Sequence, residues 1–483
     1  MFSWLKKKEL NAAIIAMCTI LFFIYTWILD EHVLDPGDGI SHFQVANYSW
    51  KYPSLFFNHW GKPLFTLLSS PFAQFGFKGM LIFNTLLFTL TAFISAKITK
   101  QLKLENGWIA VLLTFVAPIY FRVVLSGLTE ILLATLLTVS LYFFLKKKYT
   151  LGCIILSFSI LARPESYIII PFYGLYLVAL KKYKFIPLLA TGFVAYSFAG
   201  YFQYNDLFWI INKRPYSSGA SLYGSGDLFH FIKNSGATVG KLTSLLFVLG
   251  GIGILVNLIR KKLKISKHER AWIFLILLPV IAVIGVHSVL WWMGTQGSAG
   301  LLRITATIIP LVSLVALYAI NDIQLIALNK FKALRKEHVL VLLILISGFI
   351  TYKRVKVLEM DERMIIAEEL LLDAALWYQQ NAQEKKIYYM PPYFAYKAKI
   401  DPYSKNGLGM AEMRTFKDKK VPSNNMKSGE FILWEGQFAP KEGRLPLASL
   451  MNDPNLMLLK VFIPEENIQF YEKEYSVVIF KKQ

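Results

Sequence analysis

NAAIIAMCTILFFIYTWIL, residues 11–29, runs without a charge and stops at DEHVLDPGDGISHFQVA, residues 30–46. An apolar run of that length is what a helix needs to cross a hydrocarbon core about 30 Å thick at 1.5 Å per residue. The short basic lead-in Met1–Glu9 would also suit a signal peptide. Bulky Tyr25, Trp27 and Ile28 sit where small residues would mark a cleavage site, so the run reads as an uncleaved first span.

The rest of the chain extends that reading. Of 483 residues, 55% are apolar and only 17% charged, with mean hydropathy +0.46, too little charge to cover a soluble surface. The net charge of +21 does not point to a nucleic-acid partner, because the lysines cluster in short blocks between apolar runs. Hydropathy predicts about eleven spans, near 10–29, 80–97, 108–124, 131–145, 149–162, 166–180, 185–201, 241–259, 271–288, 301–319 and 338–352.

Charge orients the thread. Lys6–Lys8, then Lys97, Lys100 and Lys103, then Lys146–Lys148, then Lys181, Lys182 and Lys184 fall on one side. RKKLKISKHER (260–270) and Lys330, Lys332, Arg335 and Lys336 follow on that same side. The positive-inside rule makes it cytoplasmic, with the N-terminus inside and the C-terminus outside. An outward-facing chamber then receives residues 30–46, NHWGKP (58–63), SGLTE (126–130), ARPE (162–165), the loop 202–240, HSVLWWMGTQGSAG (287–300) and the tail.

Between residues 30 and 79 the chain is too aromatic for a free loop. Broken by Pro53, Pro63 and Pro71, it reads as interfacial or re-entrant helices. The Gly- and Ser-rich part of 202–240 is a lid candidate, or a plain exposed loop. Residues 1–352 form the membrane module. Residues 353–483 are expected to be a small non-cytoplasmic α/β domain, helical around Met360–Tyr378 with glutamates between the apolar positions, and with strands at KIYYM, EFILW and YSVVIF. Cys18 and Cys153 lie in apolar runs as filler.

The charged residues of the outer segments need a reason to be there. Asp35 and Asp38 belong to a turn, and His42 follows Asp38 by one helical turn; helix capping is the plain alternative. Glu130 stands directly before an apolar run. Arg163 and Glu165 occupy a short connection and must pair or line water, since burying them alone costs several kcal/mol, about what an unpaired charge costs in membrane. Arg303 either snorkels or, with Lys62 and Arg163, binds phosphate. His59 and Trp60 suit a sugar face; Arg122 and His287 read as ordinary boundary residues. Together these groups fit transfer of a sugar that arrives on a lipid phosphate: a carboxylate takes the acceptor proton while cations counter the leaving phosphate.

The order of DPGDGISHFQVA, HWGKPLFTLL, SGLTE, LARPESYIIIP and GSAGLLRITATIIP resembles that of the C-type (GT-C) integral-membrane glycosyltransferases, among them protein mannosyltransferases and aminoarabinose transferases. The resemblance covers residues 1–352 as architecture. It implies a polyprenyl-phosphate-sugar donor, inversion at the anomeric carbon, and a first-outer-loop carboxylate as base. Asp38 takes that role, with Asp35 as the competitor, because DPGDG lacks the adjacent acidic pair of other branches; Asp30–Glu31 is such a pair but hugs the first span. Glu130, Glu165, His42, His59 and Trp60 would then line the acceptor or sugar pocket. Acceptors among proteins, glycans and lipids all fit, as does the plasma membrane of a bacterium. A divalent cation is compatible but not required, and no metal ligands are assigned. A lipid or solute transporter and an outward-facing glycan ligase are the rival readings.

Overall fold

The computed structural model describes residues 7–28, 33–213, 215, 221–260, 266–330, 362–382, 385–404, 413–470 and 473–483. Residues 29–32, with Asp30–Glu31, part of the loop 202–240 and the span expected at 338–352 lie outside them. The described chain is mostly helical and divides into two compact units, one from Met1–Asp30 with Ser54–Leu358, the other from Glu31–Pro53 with Glu359–Gln483.

In the first unit, six helices are long and apolar enough to cross a membrane: Lys8–Ile28, Phe77–Gln101, Tyr183–Tyr204, Gly236–Arg260, Lys267–Met293 and Leu302–Ile323. Gly107–Phe115 and Pro118–Val124 make a seventh if counted as one span, bent by 72°. Pro118 explains the bend, since it holds Ala117 extended and supplies no N–H to the preceding helix. This is an integral membrane protein with six or seven long apolar helices among its described residues. Three of the expected spans are helices of 16, 9 and 14 residues, Glu130–Leu145, Tyr149–Ser157 and Ser166–Ala179. Sixteen residues rise only about 24 Å, short of the bilayer core, so polar residues at their ends come to rest inside the protein.

The helix ending at Ile323 lies at the centre of the unit, with Leu311, Leu314, Val315 and Ala316 buried. Gly250 allows Gly236–Arg260 to close on it: a Cβ there would meet the Val315 carbonyl at 2.2 Å. Small residues permit this backbone approach where lipid gives helices no hydrophobic push toward each other.

The second unit holds a four-stranded sheet. In chain order its strands are β1 (Ile387–Tyr388), β2 (Phe431–Glu435), β3 (Leu456–Phe462) and, after the small β4 (Gln469–Phe470) and β5 (Lys473–Glu474) hairpin, β6 (Val477–Lys482). The order β1-β2-β6-β3 makes β1 parallel to β2 and the other pairs antiparallel. The helix Glu362–Asn381 buries Ala367, Leu371, Ala374 and Tyr378.

Residues 33–53 are tied into this unit by polar contacts. Asp401 accepts from Lys51 Nζ at 2.8 Å and Tyr52 Oη at 2.9 Å, and the Phe43 ring meets Tyr396 edge to face at 5.5 Å. The helix Asp38–Tyr48 therefore rests on the segment Pro392–Lys397.

Candidate functional site

The membrane unit buries a cluster of opposite charges where the short helices begin. Thr129 precedes the helix Glu130–Leu145, and Arg163-Pro164-Glu165 turns the chain into Ser166–Ala179. Glu130 is 0% and Glu165 1% exposed. Arg163 serves both. Its Nη2 lies 2.8 Å from Glu165 Oε1, its Nε bonds both Glu165 oxygens at 3.1 and 3.0 Å, and its Nη1 donates to Thr129 Oγ1 at 2.9 Å. The same Nη1 stands 2.8 Å from Glu130 Oε1.

Arg303 Nε approaches that Glu130 oxygen at 3.4 Å, and His287 Nε2 is 4.0 Å from Glu165 Oε1. The Glu130 contacts are ion pairs without aligned hydrogen bonds to the described residues. Glu130 thus keeps acceptor capacity at a position closed to bulk water, whereas Glu165 is saturated by the guanidinium fork. The charge and hydrogen bonds of Arg163 offset the cost of burying the Glu165 carboxylate. Two carboxylates and two guanidiniums balance, which is how a membrane protein tolerates them.

Arg303 is placed by its approach segment. Ser221 N donates to Gly294 O at 2.6 Å, Gly226 N to Trp291 O at 3.1 Å, and His230 Nε2 lies 2.9 Å from Gly300 O. These contacts bind the loop 221–230 to the stretch 291–300 that leads into Arg303.

In the same unit, NHWGK forms a tight turn. Asn58 Oδ1 accepts from Gly61 N at 3.0 Å, Lys62 N donates to His59 O at 3.3 Å, and Pro63 starts the next helix. Lys62 has φ 62°, in the left-handed region, and is 6% exposed. A non-glycine residue held there costs about 1–3 kcal/mol, so the fold spends stability to place this ammonium. His59 Nε2 lies 2.9 Å from Ile210 O, and its ring meets Trp209 edge on; Trp60 is half-buried.

The second unit carries the first-loop acids. Asp35 Oδ1 accepts from Gly39 N at 2.9 Å, so Asp35 fastens the start of the helix that Asp38 opens. Both aspartates are half-buried, and His42 is buried one turn on. Within the described residues of each unit the structure thus brings Glu130, Arg163, Glu165 and Arg303 together, sets Lys62 in a turn with His59 and Trp60, and sets Asp35, Asp38 and His42 on one short segment. Among the described residues, no three His, Cys, Asp or Glu side chains group as a metal site.

Two residues were not expected here. His287 joins the cluster instead of being an ordinary boundary residue. Glu368 is 3% exposed although its neighbour Glu369 is exposed. Its spacing, four after Met364 and three before Leu371, puts it on the apolar stripe and could have revealed it.

No family model matches the sequence, and no curated protein matches it. Among solved structures the chain is similar to ArnT from Cupriavidus metallidurans, in a crystal structure bound to undecaprenyl phosphate, with TM-score 0.57 and 10% identity over 97% of each chain. The likeness covers nearly the whole length of both chains, and the fold is of the GT-C type.

Proposed function

We propose that this protein transfers a sugar from a polyprenyl-phosphate-linked donor to an acceptor hydroxyl on the outer face of the membrane, inverting the anomeric carbon. The observation that carries the proposal is the end-to-end likeness to ArnT, a structure that holds undecaprenyl phosphate. The buried acid–guanidinium cluster adds chemistry suited to a polar reaction at membrane depth.

In the proposed reaction the Asp38 carboxylate accepts the acceptor hydroxyl proton as the oxygen attacks the anomeric carbon. The bond from that carbon to the phosphate oxygen breaks on the opposite face, so one in-line displacement inverts the centre. Polyprenyl phosphate departs with the bonding pair, and Arg303 and Lys62 counter its charge. Asp35, committed to Gly39 N, holds the loop. Arg163, locked between two carboxylates, serves by fixing Glu130 and Glu165; Glu165, taken up by that guanidinium, holds the cluster in place, while Glu130, His42, His59 and Trp60 would contact sugar or acceptor.

The test is donor turnover by Asp38→Asn in vesicles supplied with a panel of polyprenyl-phosphate hexoses and pentoses. The variant should lose about 10²–10⁴-fold in rate, the range of a general base, while unfolding as the parent does. Undiminished turnover removes Asp38 from the role.

A further inference from the structure

The second unit contains an open cleft of about 680 Å³ whose lining brings five cations, Arg414, Lys417, Lys419, Lys420 and Arg444, against two carboxylates. Both carboxylates are already engaged. Glu442 pairs with Arg414. Asp418 accepts from the backbone of Lys420 and Val421 at 3.0 and 2.9 Å and from Asn424 Nδ2 at 2.8 Å.

The walls are built rather than accidental. Buried Glu435 accepts the N–H groups of Gln437, Phe438 and Ala439 at 2.8, 2.6 and 2.8 Å and so pins the short helix Phe438–Lys441. Leu445 N then returns to Ala439 O at 3.0 Å. This closure leaves Arg444 at φ 51°, a left-handed backbone that would suit glycine better. Opposite it, half-buried Lys419 donates to the carbonyls of Arg414 and Gly443. Burial and the nearby Arg444 charge both push the Lys419 ammonium pKa down. Lys419 is held beside Arg444, which sits on strained backbone, in a cleft whose five cations outnumber its two carboxylates, one of them already paired with Arg414.

From this we infer that the cleft around Lys419 and Arg444 is a binding site for a phosphate-bearing anion, either a lipid headgroup or a soluble phosphoryl compound. An anion seated there would take charge-assisted hydrogen bonds from exposed Lys417, Lys420 and Arg444 and relieve the Lys419–Arg444 repulsion. The inference does not depend on the proposed sugar transfer, which places no residue of this cleft in the reaction.

The experiment titrates inorganic pyrophosphate into the full-length protein in phosphatidylcholine nanodiscs, read by ³¹P line broadening. The expected result is saturable binding that weakens as salt rises. Arg444→Gly, which suits the local backbone and so keeps the fold, should weaken it about tenfold or more, as should the exposed pair Lys417→Ala/Lys420→Ala. Lys460→Ala, on β3, should leave it unchanged. Repeating the titration in phosphatidylglycerol nanodiscs separates the sources: a lipid headgroup occupant competes and lowers the pyrophosphate affinity, a soluble one leaves it as in phosphatidylcholine. Absence of saturable binding in the neutral discs, or parental affinity in both cleft variants, overturns the inference.

Discussion

Replacing Arg163 by methionine removes a guanidinium and leaves an apolar chain of similar reach. The structure says what is left behind: Glu165, 1% exposed, and Glu130, 0% exposed, both deprived of a charge 2.8 Å away. Breaking a buried pair from one side costs about 3–5 kcal/mol. Arg163→Met and Glu165→Gln should therefore each destabilise the protein by several kcal/mol in denaturant unfolding followed in detergent micelles at neutral pH. The double variant should cost clearly less than the two single losses combined, with a coupling of about 1–3 kcal/mol, since Glu130 retains Arg303. Additive single and double variants would refute the picture of a shared buried ion cluster.

Other consequences follow from single residues. Lys62→Gly should hold unfolding stability within about 1 kcal/mol of the parent, because glycine accepts φ 62°, yet weaken polyprenyl phosphate binding measured by thermal shift; unchanged binding would leave Lys62 a purely structural residue. Burial pushes the Glu368 carboxyl up to about 8. Its folded pKa lies above the unfolded one, so the stability it contributes is complete below about 4.5 and lost progressively as pH rises through about 8. Glu368→Gln should flatten that decline in a pH series of unfolding curves, by as much as about 4–5 kcal/mol between the two ends; parallel curves would show that the carboxyl is not desolvated.

Much of the membrane unit was readable because a charge in an apolar run has few explanations. Glu130, Arg163, Glu165 and Arg303 stood out on that ground, and they do meet. His287 did not, because a histidine near the end of an apolar helix looks the same whether it faces lipid, water or a carboxylate. Span lengths were less legible: the runs 131–145, 149–162 and 166–180 are apolar enough, but hydropathy does not report how few residues the helices keep before Thr129 or Arg163-Pro164-Glu165 interrupts them. In the second unit, strands form within KIYYM, EFILW and YSVVIF, where β-branched and aromatic residues cluster. The attachment of 33–53 to that unit left no local trace. Lys51 and Asp401 are 350 positions apart, and a surface pair of that kind has no periodicity to detect. The cleft of Arg414, Lys419 and Arg444 was hidden for the same reason, since its cations come from two separate segments.

Binding of undecaprenyl phosphate to the purified protein tests the account most directly, because every donor of the proposed class leaves this group behind whatever its sugar. The account predicts saturable stabilisation against heat by undecaprenyl phosphate, little by undecaprenol, and a loss of about tenfold or more in affinity on Arg303→Ala, the size of one charged hydrogen bond. Equal stabilisation by the phosphate and the alcohol, unaffected by Arg303→Ala, would contradict it.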